Sequence, residues 1–257
     1  LVISQAMADA FEARYGHLFV PIANGIDAKD WPLLSTPDSS DRARSESRAG
    51  LLLRYAGGLA PDMNASAIQK VAQTIARLSQ AGYDIRFEIN TQPHWLAKSG
   101  ALFNGLSATT VTAQKRSRTD YVDWLSGADA LLIAYNSDPA SLRYVRYSMA
   151  NKLPECLASG AALLVYGPRG VATVDVVAER GIGRVVAETD SANSDTALEE
   201  TLIELMVPDV RQALSQRAIK VVREDYDARV ISGYLETLLR KTAGKPAKED
   251  GGALDLP

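Results

Sequence analysis

Two groups of residues in this chain have the types and spacing to handle an anionic ligand. The first is Lys152 and Glu155, three apart, a separation that on a helix puts both on one face. A lysine there can neutralise a phosphate, and an ionised glutamate can accept two hydrogen bonds from a ribose diol. The alternative is a surface salt bridge between the two, which contributes little to stability. The second group is the pair Gly57-Gly58 in Tyr55-Ala56-Gly57-Gly58-Leu59. Without side chains, its backbone can approach a diphosphate closely; the alternative is a plain strand-to-helix turn. The pair lacks both the G-x-G-x-x-G spacing of dinucleotide binders and the G-K-[ST] ending of a P-loop. An NAD oxidoreductase and a nucleoside-triphosphate hydrolase therefore lose support.

Other reactive residue types point to structure. His17 and His94 are the only histidines, far apart and without a Cys neighbour, so no metal site is expected. Cys156 has no histidine nearby in sequence and reads as a packed thiol, not a nucleophile. Gln92-Pro93-His94-Trp95 reads as a structural loop at a strand end, with His94 or Trp95 on a pocket rim as the alternative. Lys115, Arg116 and Arg118, the one compact basic cluster, read as a solvated loop. The acidic stretch around Asp190, Asp195, Glu199 and Glu200 reads as the solvated start of a helix, favourable to its dipole.

The elements that must hold the two groups alternate along the chain. Strands are expected at 51–55, at 85–89 with Ile85, Phe87 and Ile89 on one face, and at 130–135, 161–166 and 183–186. Helices are expected after Asn64, with Ile68, Val71, Ala72, Ile75 and Leu78 at helical spacing, and then at 119–125, 152–158, 171–180, 197–206 and 208–225. This alternation predicts a Rossmann-like α/β domain over 51–225, a doubly wound parallel sheet with helices on both faces. Ligands bind such sheets beyond the carboxyl ends of the strands, where both groups fall. Ahead of it, Ser4 and Gly16 bound a short helix, an apolar strand candidate covers 18–22, and Asn24-Gly25 marks a turn. The aperiodic stretch 31–50 is expected to be a linker or exposed loop. A last helix, within 226–242, has Val230, Ile231, Tyr234, Leu235 and Leu238 on one side and is expected to pack outside the sheet domain; 243–257 reads as a disordered tail.

With 257 residues, 46% of them hydrophobic, and a net charge of −3, the chain can bury a substantial core. Near-neutral charge argues against a nucleic-acid partner. A single cysteine, no apolar run long enough to span a membrane and no signal-peptide pattern favour a cytoplasmic, reducing compartment.

The run Lys152-Leu153-Pro154-Glu155-Cys156-Leu157-Ala158-Ser159-Gly160, followed by Leu163-Leu164-Val165-Tyr166-Gly167-Pro168, resembles the K-L-x-E-Y-L-A-x-G-x-P-V-L motif of the family 4-like glycosyltransferases of the GT-B fold. Residues 21–27 resemble the family's V-I-P-N-G-V-D hinge, 55–59 its Y-x-G-x-L opening, and Gly127-Ala128-Asp129 the x-A-D before its fourth strand. The likeness runs from about Ser4 to Leu239. It implies the C-terminal, donor-binding half of a larger enzyme, with 1–30 a remnant of an N-terminal domain and hinge, and 226–242 returning to that missing half.

By the resemblance, Glu155 would bind the donor ribose and Lys152 would lie near the diphosphate. Gly57 and Gly58 would present N–H groups to it, and Thr112, Ala113 and Gln114 would line the nucleobase slot. The backbone at Tyr147, Ser148 and Met149 would approach phosphate and sugar. The departures are specific. Tyr147 stands where the family has its first glutamate, Ala150 where many relatives have proline, and Gly58 where an arginine often follows the glycine. No lysine falls among residues 60–64, so Lys152 would carry more of the phosphate charge, with Arg143 or Arg146 assisting.

The implied reaction moves a sugar from a nucleotide-sugar to a saccharide or lipid-linked acceptor with retention, in polysaccharide biosynthesis, without cofactor or protein-bound metal. The acceptor would be held by the missing half, and the fragment alone would bind donor without turnover. Peripheral contact of the full-length protein with the inner face of a membrane is a further expectation. The alternative from another class is a non-catalytic glycosyltransferase-like binding or scaffold module, which Tyr147, Gly58 and Ala150 favour. A third, an unrelated doubly wound binding protein, would be favoured by Glu155 and Gly57 lying far from any common pocket.

Overall fold

The computed structural model describes residues 1–35, 50–187 and 191–244. Six strands form one sheet: β1 (Leu51–Ala56), β2 (Ile85–Asn90), β3 (Thr109–Thr112), β4 (Ala130–Ala134), β5 (Ala162–Tyr166) and β6 (Arg184–Val186). Their spatial order is β3-β2-β1-β4-β5-β6, and every pairing is parallel. The helices between them are α3 (Ala65–Gln80), α4 (Pro93–Ser99), α5 (Arg118–Ser126), α6 (Pro139–Val145), α7 (Leu153–Ala158) and α8 (Ala172–Arg180), and α9 (Ser191–Glu204) and α10 (Pro208–Val221) come after β6. Two helices, α1 (Gln5–Tyr15) and α2 (Pro32–Ser35), precede the sheet, and α11 (Ala228–Ala243) follows it. This is the doubly wound α/β architecture expected from the alternating pattern.

Side chains alternate between two cores because a strand has a period of two. On one face, Leu51, Leu53, Tyr55, Phe87, Leu132, Leu164 and Tyr166 pack with Ile68, Val71 and Ile75 of α3 and Leu198 and Leu202 of α9. On the other, Leu131, Ile133, Leu163 and Val165 pack with Leu125 of α5, Leu157 of α7 and Val174 of α8. β4 and β5 are buried on both faces, which is why they read as unbroken apolar runs. The chain steps outward from β1 to β2 and β3, then returns to the other side of β1 for β4. The crevice beyond the carboxyl ends of β1 and β4 is thus the switch point at which this architecture binds ligands.

The seam between β1 and β4 is closed at its start by Asp129. Its carboxylate accepts from Leu52 N at 2.8 Å, and its N–H donates to Leu52 O at 2.9 Å. Arg211, nearly buried on α10, lies 3.6 Å from Asp129 and donates to the carbonyls of Leu205 and Met206 at 2.7 and 2.8 Å. α10 is thereby tied to the sheet and to the end of α9.

Several expectations need correction. The candidate strand at 18–22 is a single bridge between Val2 and Pro21, since a proline has no N–H with which to continue a ladder. The expected linker 31–50 begins in the core: Trp31 is fully buried, and α2 follows at once. Its remainder, 36–49, lies outside the described residues, as do 245–257 of the expected tail, whereas Ala243 closes α11. The acidic stretch is paired with α3, Asp195 to Lys70 at 2.6 Å and Glu199 to Arg77 at 2.9 Å; Asp190 is outside the described residues. α11 buries Leu238, and Ile231 stands 2.9 Å from where a Cβ on Gly25 would sit. No described helix is long and apolar enough to cross a membrane.

Arg211→Ala would strand Asp129 and two carbonyls in a poorly hydrated place. It is expected to lower stability by about 2–4 kcal/mol, read as a fall in the urea midpoint with an unchanged slope.

Candidate functional site

Sheet pairing carries the chain one residue past β1. The Gly57 N–H donates to Asn90 O of β2 at 3.0 Å, so the expectation that both glycines offer free N–H groups is corrected for Gly57. At Gly58 the N–H has no acceptor among the described residues. Gly57 has φ +147°, a conformation L side chains rarely adopt, and a Cβ there would lie 2.3 Å from Lys152 Nζ. The positive φ is what requires glycine at 57; the lysine end could shift, but only by leaving this corner.

Lys152 reaches to this corner from the head of α7. Its ammonium donates to Ala56 O at 2.6 Å and sits 4.1 Å from the centroid of the Tyr55 ring. Tyr55 in turn donates to Gly58 O at 2.6 Å and accepts from Asn64 Nδ2 at 2.9 Å, while Asn64 Oδ1 takes the Ala60 N–H at 3.0 Å. The turn after β1 is thus held from within, and the lysine is fixed with two of its three hydrogens still to donate.

Glu155, in the first turn of the same helix, does not pair with Lys152. One carboxylate oxygen takes Arg118 Nη1 at 2.7 Å and the other the Tyr121 hydroxyl at 3.2 Å. Arg118 is shared: its Nε lies 3.1 Å from Asp30 Oδ2, and its guanidinium lies over the buried Trp31 ring at 5.6 Å. The reading of Arg118 as part of a solvated loop is therefore corrected. It opens α5, whose N-cap is Ser117. Burial, and then the charge of Glu155, push the Tyr121 pKa upward, so this phenol stays a donor to the carboxylate. The hydrogen bond to Glu155 raises Arg118 above its ordinary value.

The expected nucleobase segment closes on Asn90 at the end of β2. Asn90 Oδ1 accepts from Thr112 Oγ1 and from Gln114 N, both at 3.0 Å, and its amide donates to Gln114 O at 3.1 Å. Thr112 ends β3, Ala113 is half-buried, and the Gln114 side chain is exposed. Both backbone groups of Gln114 are therefore already engaged.

The expected phosphate-approaching segment is organised by Thr173, fully buried at the start of α8. Its hydroxyl accepts from Ala150 N and Tyr135 OH, both at 2.9 Å, and donates to Ser148 O at 3.3 Å; Met149 is buried beside it. The Tyr147 side chain is exposed, and its carbonyl accepts from the Ser4 hydroxyl. Among the described residues no hydrogen bond or ion pair joins 147–149 to Lys152 or Glu155. Arg143 and Arg146 are exposed on and beside α6 and reach no carboxylate there.

One residue at the switch point went unnoticed in the sequence. Asn136, just past β4, is nearly buried and takes the Ser66 hydroxyl at 2.7 Å and the Ala67 N–H at 3.1 Å, capping α3. Its amide donates to Pro61 O at 2.9 Å and Ser141 Oγ at 3.2 Å. An asparagine following an apolar strand was the available signal. The start of α3, which could have faced an anion, is satisfied by protein. Among the described residues no group of three or more His, Cys, Asp or Glu side chains gathers as a metal site would need.

No family model and no curated protein matches the chain. Solved structures share its fold. WaaG, a glycosyltransferase involved in lipopolysaccharide biosynthesis, matches with a TM-score of 0.64 at 16% identity, over 92% of this chain and 61% of that one. The trehalose 6-phosphate synthase of Burkholderia multivorans matches with a TM-score of 0.59 at 14% identity, over 90% of this chain and 52% of that one. TarM of S. aureus, solved with UDP, alpha-GlcNAc-glycerol and Fondaparinux, matches with a TM-score of 0.64 at 10% identity, over 93% of this chain and 42% of that one. The chain thus spans from about two fifths to three fifths of these structures' lengths, and the shared property is the fold.

The buried acids around the site set an alkaline limit. Burial pushes the Cys156 thiol up to about 12 from 9.0 and the Tyr135 phenol up to about 12 from 10.0. Unfolding lets both ionise near their ordinary values, so above about pH 9 the unfolded state holds fewer protons and stability falls. Urea unfolding at about pH 8 and about pH 11 should show a lower midpoint at the higher pH; equal midpoints would count against burial of these groups.

Proposed function

We propose that this chain is the donor-binding half of a nucleotide-sugar-dependent glycosyltransferase. The carrying observation is the corner at the switch point, where the Lys152 ammonium is seated on Ala56 O beside Gly57 and Gly58. A cation with hydrogens to spare, next to an unengaged N–H and a backbone without side chains, suits a diphosphate. Fixed donors aimed at a leaving group that gains charge stabilise the transition state, because little reorganisation is needed as the charge develops. In this reading Lys152 takes charge from the leaving diphosphate, and no protein-bound metal shares that work.

Glu155 would receive the ribose diol by exchanging its bond to Arg118 for hydroxyl donors, with Tyr121 keeping the other oxygen in place. Transfer would proceed with retention to a saccharide or lipid-linked acceptor held by a part of the enzyme beyond this chain, in the family 4-like manner. The setting would be the cytoplasm, at the inner face of a membrane when the acceptor is lipid-linked. Solved glycosyltransferases of the same fold support the reading.

A second reading, a glycosyltransferase-like scaffold without transfer chemistry, is favoured by one observation: both oxygens of Glu155 are already occupied by protein donors.

Isothermal titration with UDP, GDP and ADP and their nucleosides separates the readings. Selective binding of one diphosphate is expected. Lys152→Ala should weaken it about tenfold to a hundredfold while sparing the nucleoside, and Glu155→Ala should weaken both. Equal losses for diphosphate and nucleoside on Lys152→Ala would remove the phosphate role. No binding at all, with no donor hydrolysis by the full-length protein, would establish the scaffold.

A further inference from the structure

Trp95 lies against the second of the same two glycines, as Lys152 lies against the first. The segment read as a structural loop is the first turn of α4, with Pro93 at a position where its missing N–H costs nothing. The Trp95 ring lies against the core and carries Lys98 Nζ 5.4 Å from its centroid. Its Nε1 edge faces Gly58: a Cβ at 58 would lie 2.9 Å from Nε1 and 3.3 Å from Cε2. Any side chain at 58 would therefore require the indole to move.

Trp95 is half-buried, and its indole N–H has no acceptor among the described residues and stands open to solvent, free to meet a ligand. The Gly58 N–H has none either, and on the same β2–α4 turn Thr91, 6% exposed, has a hydroxyl without a partner. Two N–H donors and the spare hydrogens of Lys152 thus border Gly57 and Gly58, with no carboxylate among them. Open donors gathered at one turn suit an acceptor-rich anion, and phosphoryl oxygens are such acceptors.

We infer that Trp95 is a ligand-binding residue, its indole N–H donating to the diphosphate of the nucleotide from the position that Gly58 leaves open. This rests on the nucleotide-sugar reading. The hydrogen bond brings no charge, so Lys152 remains the principal cation at the diphosphate. A tryptophan that merely fills the hollow over Gly58 would give a different result on substitution.

The test titrates wild type and Trp95→Phe with UDP, GDP and ADP and with the corresponding nucleosides. Phenylalanine keeps a ring and loses the N–H. Trp95→Phe is expected to weaken the diphosphate about threefold to tenfold and leave the nucleoside unchanged, which also reports an intact fold. Gly58→Ala, whose Cβ displaces the indole, should act in the same direction. The Trp95 indole N–H resonance should shift when diphosphate is added and stay still with nucleoside. Wild-type affinity in Trp95→Phe, or equal losses for diphosphate and nucleoside, overturns the role of Trp95 while Lys152-dependent binding keeps the donor-site reading. If wild type binds no nucleoside diphosphate, both fall together.

Discussion

The Lys152 ammonium on the carbonyl of Ala56 is the contact on which the carboxyl edge of the sheet depends. It joins the head of α7 to the end of β1, two elements on opposite sides of the seam where the strand order turns back. Gly57 must be glycine for its positive φ, and the ammonium lies in the space that a side chain there would take. Tyr55 lies beneath the ammonium, and its hydroxyl holds the turn that follows. Replacing any of the three changes the room available to the other two.

The same seam is closed at both ends by a polar side chain that saturates backbone groups. Asp129 does so before β4 with one bond to Leu52 N beside Arg211, and the buried Asn136 does so after it with four. Buried polar groups with every bond made fix one arrangement, because any alternative leaves a donor or acceptor unpaired. The seam between β1 and β4 is therefore rigid where an open crevice would otherwise weaken it, and the crevice can keep its shape without a ligand.

The strands and helices that bury the most were the most readable. β1, β2, β4 and β5 announced themselves by alternation or by unbroken apolar runs, and α3 by its spacing. β3 did not, because Thr109-Thr110-Val111-Thr112 is a short edge strand with no buried residue to give a period. α4 was hidden by Pro93, which reads as a breaker until its place in the first turn is known. Within the site, the types and spacing of Lys152 and Glu155 were readable, but their partners were not. Glu155 meets Arg118, 37 residues away, only once the connection after β3 comes to rest beside α7. Nor could the occupation of the Gly57 N–H be foreseen, since it follows from where the β1–β2 register ends.

Arg118 is one cation divided between two carboxylates of different origin. Asp30 belongs to the segment leading into the sheet domain, and Glu155 to the first turn of α7. The buried Trp31 ring under the guanidinium holds it between them. The share of positive charge reaching Glu155 is consequently set by where residues 28–31 stand. The backbone ahead of the first strand acts as an electrostatic lever on a carboxylate it never touches.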